Sequence, residues 1–332
     1  MNAVPRWLSV TGLWLLSGCL GFHAGRAPDA PDDASYVELR GTLVHYTDEG
    51  PRDAPAVVLI HGFASSLGVW RQTREALSDD HRVIALDLKG FGLTGRPEGD
   101  YSPEEQARLV LALMRARGVE SAALVAHSYG ASVALEVALL APERVERVAL
   151  YDAWVFSSQL PTTFYWARGR GVGEAIFGAF YNERSEDKIA QAFYDPEVIP
   201  QALVDTVEAQ LARPGTRAAA LAAVRAMRYE DQEAHYGEIA QPVLLLWGRE
   251  DAVTHVADGE RLLSELPHAR LEVYPRCGHF PMIEARRPST AELVAFLDVP
   301  REAAASVEEA PPAADAPEEA IEQVVEQGRA PW

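Results

Sequence analysis

The sequence predicts an α/β fold: a mostly parallel sheet with helices on both faces and an inserted helical cap. Three observations predict it. Short apolar, β-branched runs alternate with helical patterns from residue 57 to residue 297. The runs are continuously apolar, as expected of strands buried on both faces. The alternation stops after Asp152 and resumes at Val243. A chain of 332 residues with 48% apolar and 24% charged residues has ample material for such a core and excludes a wholly disordered or coiled-coil chain.

Taken in order, Tyr36–Arg40 and Leu43–Thr47 flank Gly41-Thr42 and read as an opening antiparallel hairpin. The parallel strands are then expected at Val57–Ile60, Val83–Leu86, Ala122–Ala126, Val145–Leu150, Val243–Trp247 and Leu271–Tyr274. Helical patterns at Leu67–Leu77, Pro103–Arg117, Ala131–Leu140, Val256–Leu266 and Ser289–Leu297 lie between or after them. Residues 153–240 contain no convincing strand but have helical stretches such as Gln201–Ala212 and Ala218–Met227, so they read as the cap. Ten of the 28 aromatics fall between Trp154 and Tyr194. That density suits both a small cap core and an apolar substrate pocket, with Trp154 and Trp166 as pocket candidates.

The ends differ from the body. Trp7–Leu16 is apolar but shorter than the roughly 20 residues a spanning helix needs. With Arg6 before it and small residues after it, it has the shape of a secretory signal over residues 1–18. Leu16-Ser17-Gly18-Cys19 resembles the lipobox of bacterial lipoproteins. By that resemblance Cys19 becomes the first mature residue and a lipid anchor, and Leu20 after it favours the outer membrane. Residues 19–35 read as a flexible tether, 36–298 as the folded domain with its cap at about 153–240, and 299–332 as an acidic disordered tail. The net charge of −19 argues against nucleic acid as a partner. Two cysteines exclude a disulfide scaffold, no His/Cys cluster has metal-ligand spacing, and no cofactor is implied.

The chemistry concentrates at strand ends. Ser128 stands in Ala126-His127-Ser128-Tyr129-Gly130, between a strand and a helix. Small residues two positions away on each side permit a sharp turn that lifts the hydroxyl at the carboxyl edge of the sheet. An ordinary turn with Ser128 as helix N-cap is the alternative. A hydroxyl nucleophile needs a base, and the base needs an orienting acid. His279, in the loop after the last strand, and Asp251, after Val243–Trp247, supply them, with Asp152 as a rival acid. The Phe63 and Tyr129 N–H groups are placed to form an oxyanion hole, while His61 reads as structural.

These motifs together resemble the α/β-hydrolase superfamily, in its capped serine-hydrolase branch. The resemblance rests on His61-Gly62-Phe63 with Ser65 and Trp70, Asp87-Leu88-Lys89-Gly90-Phe91-Gly92, the Ser128 turn, Gly248–Asp251 and Gly278-His279-Phe280-Pro281. It spans about 260 residues and implies a structural role for Asp87 and its glycine turn. Ser128 argues against the relatives that carry aspartate at the elbow. The leading expectation is hydrolysis of a small to medium carboxylic ester through a Ser-His-Asp acyl-enzyme mechanism. The alternatives are a C–C bond hydrolase of ring-cleavage products and a non-catalytic binding protein on the same fold.

Overall fold

A computed structural model describes residues 20–181 and 185–299 of the chain. The signal segment, Cys19 and nearly all of the acidic tail lie outside the described residues. The strands are β1 (Ser35–Leu39), β2 (Thr42–Glu49), β3 (Ala56–Ile60), β4 (Arg82–Leu86), β5 (Ala122–His127), β6 (Val145–Tyr151), β7 (Val243–Gly248) and β8 (Ala269–Tyr274). They form one sheet in the order β1-β2-β4-β3-β5-β6-β7-β8. The pairs β1–β2 and β2–β4 are antiparallel and the rest are parallel. Parallel register aligns Ile60 with Leu86 and Ala126, and Tyr151 with His127 and Leu246. The carboxyl ends of β3 to β7 therefore share one edge, and whatever follows each strand converges there.

Side chains alternate across the sheet with period two. Val57, Leu59, Val83 and Ala85 pack on one face beneath Trp70, Leu293 and Phe296. Val58, Ile60, Ile84 and Leu86 pack on the other, against Leu109, Val133 and Leu262. The helices packed on these faces are α1 (Arg71–Leu77), which follows Trp70, α2 (Pro103–Ala116), α3 (Tyr129–Leu140), then α10 (Val256–Glu265) and α12 (Arg286–Leu297). Local chemistry sets their ends. Ser102 caps α2 by accepting from the Glu105 N–H, Pro103 follows it, and Glu104 and Glu105 face the positive end of the helix dipole. The predicted Leu67–Leu77 helix begins as a 3-10 turn, Leu67–Trp70, before α1.

Between β6 and β7 the chain forms α4 (Thr162–Ala167), α5 (Val172–Phe180), α6 (Ser185–Ala192), α7 (Gln201–Ala212), α8 (Thr216–Ala226) and the short α9 (Glu230–Glu233). A four-residue helix, α11 (Pro281–Glu284), follows β8. Among the described residues no helix is long and apolar enough to cross a membrane.

Two expectations change. The hairpin turn is Arg40-Gly41, both with positive φ (50° and 70°), and Thr42 already belongs to β2. Two consecutive left-handed residues twist a two-residue turn in the same sense as its strands. The stretch read as a free tether is held to the body from Leu20 onward. His23 and Arg96 exchange backbone hydrogen bonds of 2.8 and 2.7 Å, and the Arg213 guanidinium pairs with Asp29 at 2.8 Å. Ala27 is buried, and Phe22 stacks on Tyr101. Composition alone read this stretch as loose. Its partners lie far along the chain, as far as 184 residues for Asp29 and Arg213, where local pattern carries no information.

Candidate active site

Ser128 follows β5 with φ 52° and ψ −123°, a conformation costly for any residue with a Cβ. Its hydroxyl makes no cap hydrogen bond to α3, so it is not the N-cap serine of an ordinary turn. The strain is held by backbone bonds from the Ser128 N–H to the Tyr151 carbonyl (3.0 Å) and from the Trp154 N–H to the Ser128 carbonyl (3.1 Å). Space dictates the small neighbours. A Cβ on Gly130 would stand 2.5 Å from the His61 carbonyl oxygen, and one on Gly62 would stand 3.0 Å from the Ser128 Cβ.

His279 and Asp251 are both buried and joined Nδ1 to Oδ2 at 2.7 Å. Asp251 also accepts from the Thr254 hydroxyl (2.7 Å) and the Val253 N–H (2.7 Å). Burial works to raise the Asp251 carboxyl, but the His279 charge and these donors outweigh it and hold it below its ordinary range. An ionised Asp251 can only accept, so His279 donates its Nδ1–H to Asp251. Ser128 and His279 line the same cavity of about 520 Å³.

Asp152, the rival acid, is also buried, at φ 43°. Its Oδ1 accepts the Gly248 N–H at 2.9 Å. Burial first, and then the neighbouring Asp251 charge, push its carboxyl well above the usual range, so it is neutral when Asp251 is charged. Asp251 holds the hydrogen bond to His279, and Asp152 has a carboxyl oxygen within 4.8 Å of that pair. One ligand atom each from Asp152, Asp251 and His279 lies within 4.8 Å of the others, the convergence a metal would need. The fit fails on distance. Ligands about 2.1 Å from a tetrahedral ion stand roughly 3.4 Å apart, whereas the His279–Asp251 contact is a 2.7 Å hydrogen bond.

Of the two expected oxyanion donors, Phe63 lines the cavity, while Tyr129 adjoins Ser128 in the chain and is absent from the lining. Tyr129 opens α3, so its N–H is among those a helix leaves without an intrahelical acceptor. Phe63 follows β3 and lines the cavity. His61 fixes its turn: Nδ1–H donates to the Gly62 carbonyl (2.7 Å) and Nε2 accepts the Leu88 N–H (3.0 Å). Burial lowers the imidazole's affinity for a second proton, which keeps His61 neutral. Asp87 accepts from His45 and from the Leu67 and Leu93 amides, each at 2.7 Å, and acts as the hub of the neighbouring loops.

The two pocket candidates separate. Trp154 lines the cavity, nearly buried and stacked on Phe164 at 5.8 Å. Trp166 is 61% exposed and lies outside the lining. Phe164 faces the cavity, and a residue two further along a helix points to the opposite side. Of the two cysteines, Cys19 lies outside the described residues. Cys277 is free and buried, and burial raises its thiol far above the reactive range.

Sequence reasoning missed several supports. Thr254 could have been found from Asp251-Ala252-Val253-Thr254, an aspartate bonding amides two and three residues on. His127, next to Ser128, donates from Nε2 to the His279 carbonyl (2.7 Å) and so ties the Ser128 turn to the His279 loop. Glu284 accepts the Gly278 N–H (2.9 Å), and the Ala192 carbonyl of the cap accepts the His279 N–H (2.7 Å). No local signal marks either.

The model of the alpha/beta hydrolase fold family matches residues 55–286, and the chain belongs to that family. It is 28% identical over 275 residues to a dihydrolipoyllysine-residue acetyltransferase component of an acetoin cleaving system from Pseudomonas putida, covering 79% of this chain and 68% of that protein. It is 29% identical to a 2-hydroxy-6-oxo-2,4-heptadienoate hydrolase from Pseudomonas putida, covering 70% and 84%. It is 27% identical to a pimeloyl-[acyl-carrier protein] methyl ester esterase from Nitrosomonas europaea, covering 70% and 91%. Among solved structures, an alpha/beta hydrolase fold protein from Burkholderia ambifaria matches with a TM-score of 0.71 at 25% identity, covering 80% of this chain and 98% of that one.

Proposed function

We propose that the protein is a serine hydrolase of carboxylic esters with an apolar acyl group. The observation that carries the reading is one cavity holding a strained, uncapped Ser128 and the Asp251-paired His279 behind walls of hydrocarbon. Ser128 Oγ attacks the ester carbonyl carbon as its proton passes to His279 Nε2. Asp251 stabilises the resulting imidazolium, and the Phe63 and Tyr129 N–H groups hold the oxyanion. Collapse breaks the C–O bond, and His279 returns the proton to the departing alcohol. Water then attacks the acyl-enzyme, giving its proton to His279, and the acid leaves as Ser128 regains its hydrogen.

The second reading, C–C hydrolysis of a ring-cleavage product, is favoured by the likeness to the heptadienoate hydrolase. Such a substrate carries a carboxylate. Burying one needs a cation or several donors, and no lysine or arginine stands among the described lining residues. That favours the ester. A panel of p-nitrophenyl esters set beside a ring-fission dienone tests the choice: turnover of the esters alone is expected, and turnover of the dienone alone overturns it.

We further propose that residues 1–18 direct export and that Cys19 carries acyl chains in the outer membrane. The support is the Leu16–Cys19 motif. Wild type should then partition with membranes and Cys19→Ser should not; equal solubility of the two in the native host would refute the anchor.

A further inference from the structure

His279 sits in a stretch without helix or strand, between the end of β8 at Tyr274 and the start of α11 at Pro281. Such a stretch has no ladder of its own, so its backbone groups must find partners elsewhere. Three successive amides do so on three different elements. The Cys277 N–H donates to Glu250 Oε2 at 3.0 Å. The Gly278 N–H donates to Glu284 Oε1 at 2.9 Å. The His279 N–H donates to the Ala192 carbonyl at 2.7 Å. The base therefore takes part of its support from the cap, because Ala192 ends α6.

Glu284 links the two sides of that contact. Its second oxygen, Oε2, accepts the Tyr194 N–H at 2.8 Å. One carboxylate thus bridges an amide beside His279 and an amide two residues beyond Ala192. The two backbones lie close together here. A Cβ on Gly278 would stand 2.6 Å from the Ala192 carbonyl oxygen and 2.7 Å from the Tyr194 nitrogen. Phe193, between them, stacks on Phe280 at 4.8 Å. Without the bridge, two amides lose their acceptor and the Ala192 carbonyl loses its hold over the His279 N–H.

We infer that Glu284 is a positioning residue for the reaction: by clasping the Gly278 and Tyr194 amides it fixes the cap on the loop of the base and holds the His279 ring in place. The cap is then part of the catalytic support as well as a wall of the cavity. The inference rests on His279 acting as the base in the reading above.

The test uses two variants of the full chain. Glu284→Gln keeps the volume but has one accepting oxygen instead of two, and sets an NH₂ against the other amide. Glu284→Ala has none. On one p-nitrophenyl ester kcat should fall by about tenfold in Glu284→Gln and about a hundredfold in Glu284→Ala, with KM within about twofold of wild type. The downfield proton resonance of the His279–Asp251 hydrogen bond should shift or broaden in the same order. A side chain that only braced the cap would leave that resonance in place. An unchanged kcat in both variants, a rise in KM alone, or a fall in kcat with the resonance unmoved overturns the inference and leaves the ester reading standing. If Glu284→Ala melts below the assay temperature, Glu284→Gln decides alone. If wild type cleaves no ester, the ester reading falls, and the resonance in the two variants still decides whether Glu284 holds the ring.

Discussion

The polar corner around Ser128 and the aromatic wall that lines the same cavity are built by opposite means. In the corner, position comes from backbone. Ser128, Asp152, Asp251 and His279 each follow a strand of one sheet, and they are held by hydrogen bonds of 2.7–3.1 Å to amides, carbonyls and hydroxyls. On the cap wall, position comes from ring against ring: Trp154 on Phe164, Phe164 near Phe177, Phe177 on Tyr181. A polar network tolerates almost no change of atom type, because each lost partner strands a buried group. A hydrocarbon wall tolerates exchange of volume. Chemistry should therefore be brittle in this protein and substrate range adjustable.

The largest expected break is between the two buried aspartates. Asp251→Asn should lower kcat by roughly 10⁴-fold, because an amide beside Nδ1 favours the wrong imidazole tautomer. Asp152→Asn exchanges a neutral acid for a neutral amide and should cost less than tenfold. Steady-state kinetics of the two variants on one ester decides the matter, and the reverse ranking would make Asp152 the acid.

Next in size is the contrast between the two tryptophans. Trp154→Ala should destabilise by about 3 kcal/mol and shift the acyl-chain preference. Trp166→Ala, at an exposed position, should stay within about 0.5 kcal/mol and leave the preference unchanged. Thermal melts with a chain-length series check both. A loss of stability in Trp154→Ala with no shift of preference would make that ring cap core alone.

The smallest effect separates the two carboxyls by pH. Asp152 has a raised carboxyl in the fold, so the unfolded chain loses this proton first as pH rises. Its contribution to stability is fully present below about pH 4 and declines above it, toward its folded pKa. Asp251 is lowered, so its contribution is present above about pH 4 and lost as pH falls through its folded value. Tm measured against pH should therefore fall less on the alkaline side in Asp152→Asn than in wild type. Parallel curves would place an ionised Asp152 in the fold.

The same contrast explains what could be read in advance. The central strands were legible because they are short, apolar and buried on both faces: Val243–Trp247 is observed as Val243–Gly248, and Val83–Leu86 as Arg82–Leu86. The positions of Ser128, Asp251 and His279 were legible because each is tied to a strand end. The cap helix Gln201–Ala212 was legible from its spacing, but not which ring faced inward, because the docking of α4 decides that Phe164 lines the cavity and Trp166 does not. Contacts between distant segments were out of reach altogether. The His23–Arg96 bridge and the Ala192 carbonyl on the His279 amide are examples.

The central claim is that Ser128 becomes acylated within the apolar cavity. Rapid quenching of the enzyme during turnover of a p-nitrophenyl ester, followed by peptide mass spectrometry, tests it most directly. The account requires a burst of p-nitrophenol with the acyl mass on the peptide bearing Ser128, and neither burst nor adduct in Ser128→Ala. An acyl group on another residue, or undiminished hydrolysis by Ser128→Ala, would contradict it.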